Sequence, residues 1–157
     1  MITDPSAPMQ DSLRRASALL QAGRHADAAA ALRRAMDGAP GDPAVASALA
    51  QLATLARTWL TTGQVDPSLA LLAPIAGSGH ANGTLLMLYA HALLAAGRQD
   101  EAEAVLRRWV QKERGNRDAA LRLAAVLADT GRLTQAEVPV RNVVARHGGM
   151  LQKSAYE

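Results

Sequence analysis

Apolar residues recur three and four positions apart along most of the chain, the spacing that places one stripe on one face of an α-helix. Glycines interrupt the pattern at Gly23, Gly63, Gly97 and Gly131, separated by 40, 34 and 34 residues. Seven positions before them stand Ala16, Ala56, Ala90 and Ala124, and four before stand Leu19, Trp59, Leu93 and Leu127. Five after come the small residues Ala28, Ser68, Ala102 and Ala136; nine after, Leu32, Leu72, Leu106 and Val140; twelve after, Ala35, Ile75, Trp109 and Val143. The helical period holds on both sides of each glycine, so each unit is two amphipathic helices. The glycine ends the first helix in a backbone conformation that costs other residues steric energy. Small residues mark the helix crossings, where a large side chain would hold the backbones apart. One pair of helices cannot bury its apolar face alone, so successive pairs stack into a solenoid.

The pattern predicts helices at about 10–22 and 25–38, 43–62 and 67–76, 83–96 and 99–113, and 117–130 and 134–147. Residues 1–8 are expected to form a flexible leader, 9–147 the solenoid, and 148–157 a C-terminal tail or partial cap. Asp42-Pro43 and Asp66-Pro67 each place a carboxylate before a proline suited to a first helical turn. Thr134 and Glu137 have the spacing of a capping box. The first helix of the second unit, Pro43 to Thr62, is six residues longer than the repeat needs. Six residues add about 9 Å at 1.5 Å each, so this helix must project or break. Pro74 and Pro139 fall inside second helices and should bend or shorten them.

Composition narrows the classes. Forty-nine per cent of the 157 residues are apolar, enough for a core, which excludes disorder along the whole chain. Absence of cysteine excludes a disulfide scaffold and thiolate chemistry. Alanine and leucine dominate, and phenylalanine is absent, a balance that favours helix. The longest apolar stretch, Leu85 to Ala96, is too short to span a bilayer, and no secretory leader is visible, so a cytoplasmic setting is expected. The net charge of +3 is mild and by itself points to no polyanion.

Together these columns resemble the tetratricopeptide repeat (TPR) family, whose motif sets small and bulky residues around a glycine-containing turn in units of 34. The matching residues are Ala16, Gly23, Ala28, Leu32, Ala35 and Pro40 in the first unit. Tyr89-Ala90, Gly97, Ala102 and Leu106 match in the third, and Leu123-Ala124, Gly131 and Ala136 in the fourth. The closing proline is present only as Pro40; His80, Arg114 and Gly148 stand in its other places. The resemblance implies an all-α, right-handed α-solenoid of about four TPR-like helix-turn-helix repeats, about eight helices. It also implies a binding habit, with first helices lining an inner groove and second helices forming the outer wall.

Candidate chemistry is thin. His80 and His91 are eleven residues apart, about 16 Å on one helix, too far to share a metal. Gly77-Ser78-Gly79-His80-Ala81-Asn82-Gly83 departs from a dinucleotide fingerprint by one position and follows a helix, so it reads as a turn between repeats. Arg14-Arg15, Arg33-Arg34 and Arg107-Arg108 raise the possibility of RNA. That reading is disfavoured, because stacking aromatics are nearly absent and the latter two pairs fall on second helices, where a solvated outer face explains them. Arg24, Arg98 and Arg132 each follow a turn glycine and read as cations near a helix end rather than as binding residues. No nucleophile, base and orienter can be assembled, so no catalysis, metal or cofactor is expected.

The expected site is the groove formed by the first helices: Arg14, Ser17 and Gln21; Thr54, Arg57 and Thr61; Thr84, Met87 and His91; and Arg122 and Asp129. Such a wall is polar and mildly basic, suited to a protein or peptide with acidic side chains or a terminal carboxylate held by arginine forks. The asparagines with which some TPR proteins clamp a carboxylate are missing at matching places. A second expected surface is the C-terminal end, where Val140, Val143, Val144, Met150 and Leu151 seek cover through self-association or a continuing chain. The function expected is a non-catalytic adaptor or scaffold, the alternative a repeat arm that recruits substrate for a larger enzyme or assembly.

Overall fold

The computed structural model describes residues 7–132, 134–142 and 144–145. Its helices are α1 (Ala7–Gln21), α2 (His25–Gly38), α3 (Pro43–Thr61), α4 (Val65–Ala76), α5 (Gly83–Ala95), α6 (Gln99–Lys112) and α7 (Arg117–Asp129). An eighth helical segment, α8, covers 134–142 and 144–145, and the described residues contain no strand. The fold is thus an all-α solenoid of helix pairs. Helix α1 takes in Ala7 and Pro8, so the helical part starts two residues inside the stretch that the sequence assigns to a leader.

Each pair turns on its glycine as the spacing demands. Gly23 and Gly97 both have φ of 77°, and the next residue donates its N–H back across the turn: Arg24 to the Leu19 carbonyl at 2.9 Å, Arg98 to that of Leu93 at 2.8 Å. This left-handed exit satisfies the last carbonyls of the first helix. It also delivers the chain straight into the second helix, so α2, α4 and α6 begin without a side-chain cap. The Asp66 expectation fails for that reason: Gln64 occupies the N-cap, and Asp66 lies inside the first turn. Thr134 fails likewise, because Ala136 already donates to the Arg132 carbonyl and Glu137 pairs with Arg141 at 3.2 Å. The looser connections between repeats do supply caps. Asp42 accepts from Ala44 at 2.8 Å, Asn82 from Leu85 at 2.9 Å and Asn116 from Ala119 at 3.2 Å.

Helix α3 does not break. It runs 19 residues against 13 in α5 and α7, about 9 Å longer, and its extra N-terminal turn is packed, with Val45 buried in the core. Pro74 shortens rather than interrupts: α4 has 12 residues against 14 in α2 and α6, and ends two residues past the proline. Pro139 lies within the helical run 134–142.

The core forms two clusters. The first joins α1 through α4 with Leu85, Leu88 and Ala92 of α5; the second joins the end of α4, the other face of α5, and α6, α7 and Ala136. Leu69, Met87 and Tyr89 touch both. The small-residue column is buried throughout, with Ala28, Ser68, Ala102 and Ala136 between 0 and 8% exposed. Ser68 fits because its hydroxyl donates to the Gln64 carbonyl at 3.0 Å, which leaves no unpaired polar group. Trp109 is buried, whereas Trp59 is half-buried with its ring edge-on to His25 at 4.6 Å.

Candidate functional site

The first helices α1, α3, α5 and α7 carry every residue expected in the groove. Six positions before each turn glycine, Ser17, Arg57, His91 and Ala125 are all exposed; so are Gln21, Thr61, Ala95 and Asp129 two positions before. These two columns face solvent on every first helix. Nine positions before, the column is mixed: Arg14, Thr54 and Arg122 are exposed, but Leu88 is buried against the preceding repeat. Thr84 is exposed, while Met87 is half-buried between the two core clusters and belongs to packing. Two threonines spend their protons at home. Thr54 donates to the Ala50 carbonyl at 3.0 Å and Thr61 to that of Thr58 at 2.8 Å.

The arginines divide by location. On the first helices, Arg14, Arg15, Arg57, Arg117 and Arg122 make no hydrogen bond or ion pair with the described residues. Elsewhere most are engaged, although Arg34, Arg107 and Arg108 remain exposed on the second helices. Arg107 pairs with Glu103 at 2.9 Å, and Arg33 with Asp37 at 3.5 Å. Arg108 donates to the carbonyls of Ala76 at 2.7 Å and Ser78 at 3.3 Å, and Lys112 to those of Gly79 and Ala81. These side chains of α6 hold the 77–82 connection in place. Ser78, 1% exposed, completes the anchor by donating to Asp37 at 2.6 Å. Arg34 is the exception on the second helices, with no partner among the described residues.

The arginines that follow the turn glycines also find carboxylates. Arg24 meets Asp27 at 2.6 Å, and Arg98 meets Glu101, each within the helix that it starts. Arg132 instead reaches back one repeat to Glu103, which Arg107 holds from the other side. The hydrogen bond from Arg132, aided by that from Arg107, holds the Glu103 carboxyl below the ordinary carboxylate range against the opposing effect of burial. Sequence spacing hid this contact, because its partners lie 29 residues apart.

At the C-terminal end, Leu121, Ala125 and Ala128 of α7 face Ala136, Val140 and Val144 of α8 across an open cleft of about 770 Å³. Leu121 is 53% and Val144 62% exposed. Val143, Met150 and Leu151, expected on this surface, lie outside the described residues. Among the described residues no three His, Asp or Glu side chains gather to hold a metal, and no helix is long and apolar enough to cross a membrane.

Sequence models of the tetratricopeptide repeat match residues 19–82 and 84–126, and so cover most of the solenoid. The chain belongs to the tetratricopeptide repeat family. Solved structures agree on the fold. One is TTC0263, a thermophilic TPR protein of Thermus thermophilus, at 24% identity and a TM-score of 0.53, covering 87% of this chain and 73% of that one. MamA AMB-1 is similar at 19% identity and a TM-score of 0.55, covering 90% and 74%. MamA MSR-1 gives 18% identity, a TM-score of 0.52, and coverage of 90% and 78%. At these identities the likeness speaks for the TPR architecture alone. No curated protein matches the chain by sequence. TPR repeats in general mediate protein–protein contacts, and this chain carries repeats of that interaction type.

Proposed function

We propose that this TPR protein is a non-catalytic adaptor or scaffold that binds an acidic protein segment along its first helices, in a cytoplasmic setting. The observation that carries the reading is the division of the arginines. Guanidinium groups of the second helices and turns are mostly committed to carboxylates or carbonyls, whereas Arg14, Arg57 and Arg122 stand exposed and uncommitted on the first helices. An uncommitted guanidinium offers two parallel donors to a carboxylate, which gives direction as well as attraction. Arg57 lies in the uniformly exposed column with Ser17 and His91, so a segment laid along it meets each repeat in turn. Asp129 sets a limit at the far end, where a second carboxylate would be repelled.

Fluorescence anisotropy of a labelled octaglutamate peptide, beside its octaglutamine counterpart, tests the reading on the intact chain. The acidic peptide should bind more tightly, and its affinity should fall as salt rises. Arg57→Glu and Arg122→Glu should each weaken it by about tenfold, while Arg34→Glu on a second helix should change it little. Equal binding of both peptides, or equal loss from all three variants, would refute the reading.

A further inference from the structure

The first and last described repeats are finished differently, and the difference points to a partner. In the interior, α5 meets the preceding repeat through Leu85, Leu88 and Ala92, all buried in the first core cluster. Counted from the turn glycine, the same positions in α1 hold Asp11, Arg14 and Ala18, all exposed. The outer face of α1 is therefore polar at the positions that, in the interior, stack on a preceding repeat. The last described repeat is different. Large exposed hydrophobic residues among those described are Leu94, Leu121, Val138 and Val144, and the last three belong to the final repeat. Leu121 and Val144 line the cleft between α7 and α8.

We propose that a second copy of this chain covers this cleft, face to face about a two-fold axis, to give a closed dimer. A head-to-tail contact would press Asp11 and Arg14 onto an apolar surface and leave them desolvated without partners. The apolar cleft of the other copy is the face of this chain that fits. The rim supports the same occupant. Glu137 and Arg141, 68% and 73% exposed, stand one turn apart beside the cleft. A two-fold axis would bring each carboxylate to the other copy's guanidinium, so the rim is complementary to itself. The contact closes on itself, so assembly stops at two copies. It uses none of the first-helix arginines, but it covers Ala125 and so closes the exposed column of first-helix residues at the fourth repeat.

Sedimentation velocity of the intact chain over a concentration series reads the outcome. The mass should rise from the 16.4 kDa monomer to a plateau at twice that value. Leu121→Glu with Val144→Glu should abolish the rise, with the helical circular dichroism signal unchanged and the melting temperature equal to that of the wild type at dilutions where it is monomeric, because both positions are exposed. The rim gives a second, milder test. Glu137→Arg and Arg141→Glu should each weaken self-association by about tenfold, by placing like charges opposite one another. Mixing the two variants should restore a dimer of one copy of each, which only a two-fold arrangement predicts. A monomer at every concentration, growth past two copies, a dimer that survives the double substitution, or a mixture that fails to pair would each overturn the proposal.

Discussion

The junction between the first two repeats and the junction between the last two share an apolar core, but among the described residues only the second adds an ion pair that crosses from one repeat to the next. In the first, α2 packs on α4, and the buried Leu32, Ala35 and Met36 share a cluster with Leu71, Leu72 and Ile75. Its ion pairs, Arg24–Asp27 and Arg33–Asp37, stay within one helix or its start. In the second, α6 packs on α7 in a cluster that includes Leu106, Trp109 and Leu123, and Arg132 adds a reach across to Glu103. Apolar contact is non-directional and scarcely responds to pH or salt; a charge pair at a surface responds to both. In a solenoid each repeat touches only its neighbours, so the two junctions should yield to different perturbations.

The largest expected effect tests the apolar junction. Leu72 is 0% exposed, and Leu72→Ala removes three carbon atoms from the first cluster. The loss should be about 3 kcal/mol in urea unfolding, the same at low and high salt. A loss that shrinks with salt would mean that this junction, too, leans on charge.

Next comes the clamp. Glu103→Gln keeps the shape of the side chain but leaves Arg132 and Arg107 without a carboxylate, and should cost about 1 kcal/mol at neutral pH. Since the Glu103 carboxyl is held low, the folded state binds its proton less readily than the unfolded chain. Its contribution is thus fully present above the unfolded value near pH 4.3 and fades as pH falls through the folded one. Wild type and Glu103→Gln should therefore converge in stability at acid pH, where amide exchange should open the fourth repeat before the first. Convergence at high pH instead would contradict the direction of the shift.

Arg108→Ala should act more locally. It frees the carbonyls of Ala76 and Ser78, so amide exchange should quicken across 77–82, with a stability loss of about 1 kcal/mol or less. Unchanged exchange there would show that Ser78 and Lys112 suffice.

Sequence alone exposed the part of this architecture that repeats. A column such as Ala28, Ser68, Ala102 and Ala136 is legible because one packing problem is solved four times with small residues. The length of α3 was legible as well, since an insertion in a periodic chain has only a few places to go. What escaped is whatever occurs once. Ser78 on Asp37, Arg108 on Ala76 and Arg132 on Glu103 join residues about 30 to 40 positions apart with no periodic trace. Caps were half legible. Asp42 before Pro43 announces itself, but Asp66 before Pro67 reads the same and is displaced, because the preceding turn hands the chain directly to the helix. For the groove, spacing found the exposed columns and misjudged Met87, where only three dimensions reveal two clusters meeting.

The smallest expected effect separates two arginines that look identical in sequence. Arg98 and Arg132 both follow a turn glycine, and both are drawn toward a carboxylate. Arg98 reaches only Glu101, three residues ahead, with both side chains about half exposed. Such a pair gains little in water, because solvent screens it and two long side chains must be held in one geometry. The Glu101 carboxyl lies low through its bond with Arg98, but at this exposure the shift carries little weight in folding. Arg98→Ala should leave the melting temperature unchanged within error. Arg132→Ala should lower it, because it unties the fourth repeat from α6 and leaves Glu103, 13% exposed, with Arg107 alone. High salt should narrow the gap between the two variants without closing it, since the better-buried carboxylate is screened less. Equal melting of the two would mean that position after the glycine, and not the partner reached, governs what these arginines contribute.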